Sequence, residues 1–152
     1  MGNKDLNISL RTASEADLPF AWLLYREAMK PLTEELLTWN EAAQRQTIAD
    51  EIAGGDASVI LQAGQPVGWL LVHDGDDAVD LGQIYIVPTM RNRGIGTCIL
   101  RQLIDDARHK DKALTLSVMK NNRAMALYGR LGFVQSGESA IKRHMIWRNG
   151  RV

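Results

Sequence analysis

A mixed sheet of short strands with interspersed helices, an α/β or α+β domain, is the fold class this sequence predicts. Three features point there. Short alternating apolar runs, broken by turns rich in Gly, Asp and Pro, fill the middle of the chain. Two later runs repeat their apolar residues at helical spacing. Strand and helix rhythms then alternate in the order β-α-α-β-β-β-α-β-α-β-β, which gives seven strands and four helices.

Each element has its own signal. Residues 8–11 alternate and read as a strand. Ser14, with Asp17 three residues on, reads as the cap of a long apolar-rich helix over residues 18–29, which Pro31 is expected to end. Thr33 with Glu34 and Glu35 is expected to restart a helix that runs to about Ala53 and stops at Gly54-Gly55. Residues 58–62, 67–73 and 79–87 read as an antiparallel meander. Its turns are residues 63–66 and 74–77, and Pro88 ends it. Ile95, Ile99, Leu103 and Ala107 form one helical stripe, widened by Leu100 and Ile104. Residues 114–118 are a strand. Ala124, Leu127, Tyr128 and Leu131 fall at i, i+3, i+4 and i+7 on a last helix that Gly132 ends. Phe133-Val134 opens a further strand, and residues 141–147 close the chain.

Composition narrows the function classes. A length of 152 residues fits a single domain over 1–152, and 45% apolar residues suffice for a core. The 18 basic and 18 acidic residues cancel, so no global charge favours nucleic acid or an anionic membrane. One cysteine, Cys98, cannot make an internal disulfide or a Cys-rich metal site, which fits a reducing cytoplasm. The start, Met1 to Leu6, lacks the apolar run of a signal peptide, and Leu6 stands where a myristoylation signal wants Ser or Thr. No apolar stretch is long enough for a membrane span. His73, His109 and His144 show no metal-ligand spacing, and no metal is expected. No Ser-His-Asp or Gly-x-Ser-x-Gly arrangement appears.

The stretch Ile84-Tyr85-Ile86-Val87-Pro88-Thr89-Met90-Arg91-Asn92-Arg93-Gly94-Ile95-Gly96 carries the chemistry. It reads as strand, short turn and helix. Glycines at a helix start let a ligand approach the backbone. The N–H groups of the first turn and the helix dipole favour an anion there, and Arg91 and Arg93 add charge. This is the makeup of a pyrophosphate site. A lone Gly-x-Gly is also what a plain strand-to-helix turn contains. A dinucleotide fingerprint would want a small residue at Ile99. A P-loop would want Gly-Lys-Ser/Thr where Thr97-Cys98 stands.

Arg91-x-x-Gly94-x-Gly96 after such a strand resembles the coenzyme A signature of the GNAT family of N-acetyltransferases. Residues 118–133, with Asn121-Asn122-Arg123-Ala124, Leu127-Tyr128 and Gly132-Phe133, resemble that family's second block. The two blocks come in the family's order, and the resemblance spans roughly residues 8–148. It implies a mixed, twisted, mostly antiparallel sheet of about six or seven strands with four helices, whose fourth and fifth strands splay to take the pantetheine arm. It implies acetyl-CoA as co-substrate. The implied contacts are Ile84, Tyr85 and Ile86 for pantetheine, Arg91, Asn92, Arg93, Gly94, Ile95, Gly96 and Thr97 for pyrophosphate, and Asn121 or Asn122 beside the arm. The motif's Asn-x-Ala form favours Asn122, and either asparagine could instead cap the helix.

The activity implied is acetyl transfer to a primary amine, on a small molecule or a peptide, by direct attack in a ternary complex. The resemblance gives Tyr128 the role of acid at the sulfur and the Ile86 N–H that of oxyanion donor. By periodicity alone Tyr128 is a core residue. Glu27, Glu34, Glu35, Glu41, Asp80 and Gln83 are all candidates to hold a water or take the amine proton, and the family often uses ordered water instead. The family's acceptor-lining segment, residues 25–45, contains Tyr25, Glu35 and Trp39. With Asp80 these are the candidate substrate residues, and Trp39 could equally be core. A homodimer is common in the family. The competing function is a non-catalytic module that only binds coenzyme A, and a third option is transfer of a longer acyl group.

Overall fold

The computed structural model describes residues 6–149. The reading of Met1 to Asp5 lies outside them. Among the described residues there are seven strands: β1 (Ile8–Thr12), β2 (Ala57–Gln62), β3 (Gln65–Asp74), β4 (Ala78–Ile86), β5 (Ala113–Met119), β6 (Val134–Glu138) and β7 (Lys142–Trp147). The helices of the described residues that position the site are α1 (Leu18–Leu36), α2 (Glu41–Ala53), α3 (Ile95–His109) and α4 (Met125–Arg130). The hydrogen-bonded strand order is β1-β2-β3-β4-β5-β7-β6. The β1–β2, β2–β3, β5–β7 and β6–β7 pairs are antiparallel, and β4–β5 is parallel. The expected fold class and element order are therefore the observed ones.

The chain divides into two compact units, Met1–Leu71 with Gln83–Cys98, and Val72–Gly82 with Ile99–Val152. In the first, Ala21, Trp22 and Leu24 of α1, Ile48 and Ile52 of α2 and Val59, Trp69 and Leu71 of the strands form one core. The β2–β3 hairpin turns on Ala63 (φ 49°) and Gly64 (φ 82°), with Gln62 paired to Gln65. Two positive φ values match the twist of flanking strands. Pro66 sits beside the register shift at Ile60/Leu61, where its missing N–H costs least.

The helix boundaries in this unit differ from expectation. Pro31 lies inside α1, which runs on to Leu36. A mid-helix proline removes one hydrogen bond and crowds the carbonyl four residues back. Burial of Thr33 and half-burial of Leu32 hold the last turns in place despite it. The break comes at Leu37, which is extended (φ −145°, ψ 176°). The restart is at Asn40, whose side chain accepts the Ala43 N–H at 2.9 Å, not at Thr33. At the far end Gly55 (φ 89°) follows α2 as read from the sequence.

In the second unit, Leu100, Leu103, Ile104 and Ala107 of α3 and Leu114, Leu116 and Val118 of β5 are buried with Met145 and Trp147 of β7. The Arg108 guanidinium lies 5.3 Å from the Trp147 ring centre. Parallel pairing of β4 with β5 covers Ala78–Leu81 against Ala113–Leu116, although β4 runs on to Ile86 and β5 to Met119. Helix α4 is shorter than its periodicity suggests. Gly132 (φ 101°) closes it, and the Phe133 N–H reaches the Tyr128 carbonyl at 3.1 Å.

Candidate functional site

The first unit holds the glycine turn. The Val87 N–H bonds to Val67 O at 2.9 Å and ends β4. A 3-10 turn over Pro88–Met90 follows, then Asn92 (φ 63°) and Gly94 (φ 85°). The first bond of α3 runs from Cys98 N–H to Gly94 O at 2.9 Å. The N–H groups of Ile95, Gly96 and Thr97 therefore precede the helix's own acceptors. Gly94 is required by its positive φ. Gly96 is not required by packing, because an added Cβ would meet no atom within 4 Å. Open space beside helix-start N–H groups, with Arg93 exposed nearby, suits a diphosphate.

Arg91, one of the implied diphosphate contacts, is engaged within the protein. Its Nε donates to Ile86 O at 2.8 Å, and its Nη2 pairs with Glu27 Oε1 at 2.6 Å. It braces the end of β4 against α1. The Ile86–Val87 peptide is thereby held through its carbonyl, and the Glu27 carboxylate is engaged rather than free to act as a base. Gly68, which the sequence did not single out, adds to this. A Cβ there would lie 2.6 Å from Tyr85 O and 3.0 Å from Ile86 Cδ1. Only glycine lets β3 approach the Ile84-Tyr85-Ile86 segment this closely.

The candidate substrate residues of this unit form an aromatic stack. Tyr25 stacks on Trp22 and Trp39 at 6.3 and 6.0 Å and meets Tyr85 edge-on at 5.9 Å. The Tyr25 hydroxyl donates to Gln44 Oε1 at 2.7 Å, and burial with the nearby Glu51 charge raises its pKa. Trp39 Nε1 donates to Glu41 Oε1 at 2.6 Å, and that bond, with the Arg26 pair, holds the Glu41 carboxyl below its ordinary range. Gln83 accepts from Trp69 Nε1 and donates to Glu51, at 2.9 Å each. Glu34 and Glu35 are exposed at the end of α1. Glu41 and Gln83 are thus structural links here. The Glu51 contact had no sequence signal, because it joins residues 32 positions apart.

The second unit holds the second block. Asn122 Oδ1 accepts the Ala124 N–H at 2.9 Å, a local cap ahead of α4. Asn121 is half-buried. Tyr128 is buried with its ring edge-on to Phe133 at 5.8 Å, and burial raises its pKa. Among the described residues its side-chain hydroxyl has no hydrogen-bond partner. Asp80 accepts from Thr115 Oγ1 at 2.7 Å. His109 Nδ1 lies 2.7 Å from Asp105 O at the end of α3. Burial pushes the Cys98 thiol up, away from nucleophilic reactivity. Among the described residues no three His, Cys, Asp or Glu side chains gather as a metal site, and no helix is long and apolar enough to cross a membrane.

The glycine turn after the fourth strand and the short helix that carries Tyr128 both fall within the span of one known family model. The acetyltransferase (GNAT) family model matches residues 21–133, and the chain belongs to that family. It is 34% identical over 94 residues to a mycothiol acetyltransferase of Acidimicrobium ferrooxidans, covering 57% of this chain and 29% of that protein. The chain thus spans less than a third of that relative. It is 27% identical over 147 residues to an L-methionine sulfoximine/L-methionine sulfone acetyltransferase of Pseudomonas aeruginosa, covering 88% of this chain and 84% of the relative. In fold it is similar to the PaiA N-acetyltransferase of Thermoplasma acidophilum, solved with coenzyme A. The TM-score is 0.73 at 17% identity, over 93% of this chain and 98% of the other. The ribosomal-protein-S18-alanine N-acetyltransferase of Escherichia coli gives 0.69 at 21% identity, over 95% and 96%.

Proposed function

We propose that residues 1–152 form one acetyltransferase domain that transfers the acetyl group of acetyl-CoA to a primary amine by direct attack in a ternary complex. The observation that carries this is the turn at Arg91–Thr97, where a Cβ on Gly96 would meet only open space and the N–H groups of Ile95, Gly96 and Thr97 come before the first bond of the helix. Those N–H groups and Arg93 bind the diphosphate, and the backbone of Ile84, Tyr85 and Ile86 takes the pantetheine arm. Acetyl-CoA supplies an activated acetyl thioester.

The chain's residues do the rest. The Ile86 N–H, in the Tyr85–Ile86 peptide that Gly68 approaches closely and next to the Ile86–Val87 peptide whose carbonyl Arg91 holds, donates to the oxygen that gains charge during attack. Tyr128, kept protonated by burial and with its hydroxyl unengaged among the described residues, passes a proton to the departing thiolate. Asn122 sets the entry to the Tyr128 helix. The acceptor is a small amine or a peptide amine. The relative named for methionine sulfoximine and sulfone covers most of this chain, so those α-amines belong first in the trial set.

The test is release of free thiol from acetyl-CoA across an amine panel: methionine sulfone, methionine sulfoximine, simple alkylamines and a peptide with N-terminal alanine. Turnover with at least one amine is expected. Tight coenzyme A binding with no thiol release from any of them would leave only the binding-module reading.

A further inference from the structure

The sheet face of the second unit that is not buried in its core carries a row of polar side chains on three neighbouring strands. Along β5, Leu114, Leu116 and Val118 are buried, while Thr115 is half-buried and Ser117 exposed, following the two-residue period of a strand. Asp80 on β4 stands in register with Thr115 and accepts its hydroxyl at 2.7 Å. His144 on β7 stands in register with Ser117, and its Nδ1 lies 2.6 Å from Ser117 Oγ. The row therefore presents a carboxylate, two hydroxyls and an imidazole on one face. None of them has a part in the acetyl transfer derived above, which still needs a group to take the proton of the acceptor ammonium.

We propose that His144 is the base that deprotonates the acceptor ammonium, and that Ser117 is a positioning residue that orients its ring. The assignment rests on the N-acetyl transfer reading. With Nδ1–H donating to Ser117 Oγ, the ring's lone pair is left on Nε2, the nitrogen that receives the proton. R–NH3+ gives one proton to Nε2 and becomes R–NH2. Its nitrogen pair forms the C–N bond to the acetyl carbon as the C–S bond breaks. Tyr128 protonates the coenzyme A sulfur, the second surplus proton on nitrogen restores Tyr128, and the imidazolium returns its proton to solvent. Asp80, at the other end of the row, attracts the incoming cation.

The charged groups around His144 are accounted for. Gly137 faces it from β6. Glu138, next on β6, lies 3.5 Å from Arg143 of β7 and 3.4 Å from Lys120 at the end of β5. Lys142 is exposed on β7, and Asp80 is the carboxylate on the row itself.

The test is the pH profile of kcat/KM with an accepted amine, for the full chain and for His144→Gln, Ser117→Ala and Asp80→Asn. An enzyme with a neutral base binds the ammonium form, so its profile reaches a plateau well below the amine's own pKa. Without the base only the neutral amine reacts, and kcat/KM keeps rising tenfold per pH unit toward the amine's own pKa. H144Q is expected to lose the plateau and about 10²-fold of kcat/KM at pH 7, with coenzyme A affinity within twofold of wild type. S117A keeps a plateau at lower kcat, and D80N raises the acceptor KM and keeps the plateau. In His144→Ala, added imidazole should restore the plateau, which a merely structural role would not allow. An H144Q plateau like that of the active wild type, or loss of the plateau in D80N alone, overturns the assignment. Absence of thiol release by the wild type itself sinks the transfer reading and this assignment with it.

Discussion

Replacing Gly96 with leucine separates what the glycine turn does for the protein from what it does for a ligand. The residue lies in the first turn of α3 with helical backbone, and a Cβ would meet nothing within 4 Å. The protein therefore loses no contact and gains helix propensity. Leucine is favoured over glycine by about 0.8 kcal/mol in a helix interior, and a first-turn position should realise about half of it. For a chain of this size that raises Tm by about 1–2 °C. Coenzyme A binding should move the other way. A side chain in the open space displaces the diphosphate from at least one N–H, and a hydrogen bond to a charged group is worth about 1.5–3 kcal/mol. The dissociation constant should rise about 10- to 100-fold. Thermal unfolding followed by circular dichroism gives the first quantity and titration calorimetry with coenzyme A the second. A variant that is stable and binds coenzyme A like wild type would remove the diphosphate from this turn. A variant destabilised by more than about 1 kcal/mol would show that the glycine is there for packing.

Gly68→Ala should lose net stability, because a Cβ 2.6 Å from a backbone oxygen forces β3 off β4; an overpacking cost of about 1–3 kcal/mol is offset in part by about 0.4–1 kcal/mol of unfolded-state entropy. Urea unfolding measures it, and an unchanged midpoint would show that the strands yield freely. Tyr128→Phe should lower kcat about 10²-fold and leave coenzyme A affinity within twofold; unchanged turnover in the thiol-release assay would take Tyr128 out of the acid role. Asp74 sits 2.8 Å from both Lys110 and Lys112, whose hydrogen bonds hold its carboxyl down at about 2 from an ordinary 3.8. A depressed folded pKa gives stability that is present above the ordinary value and lost as pH falls through the folded one. The wild type should thus lose this contribution between pH 4 and 2, and Asp74→Asn should flatten that window in acid unfolding curves. A variant with the wild-type slope would discount the lysine pair.

Legibility followed the range of the forces involved. Strands with clean alternation, the β2–β3 turn and the α3 stripe were readable to within a residue or two, because side-chain period and turn chemistry act over a few positions. The break between α1 and α2 was misplaced. Proline's local penalty pointed to residue 31, and burial of residues beyond it kept the helix going to Leu36, where an asparagine cap four residues on took over. The site candidates divide the same way. Gly94, Gly96 and Tyr128 stand in contiguous motifs that carry the family resemblance. Glu27, Glu41 and Gln83 were indistinguishable from free acids or amides until their partners were known.

By itself, then, the sequence determined the element order, the glycine turn at Arg91–Thr97 and the block around Tyr128, and with them the family. These depend on local backbone geometry and on neighbours close in the chain. The tertiary structure alone decided that Arg91 spends its charge on Glu27 and the Ile86 carbonyl, that Gly68 is required by a neighbouring strand, and that Ser117 meets His144. Each of those contacts joins distinct elements, separated in the chain by 5 to 64 residues, and strand register or helix packing sets the distance that makes it. No local pattern of residues encodes such a distance.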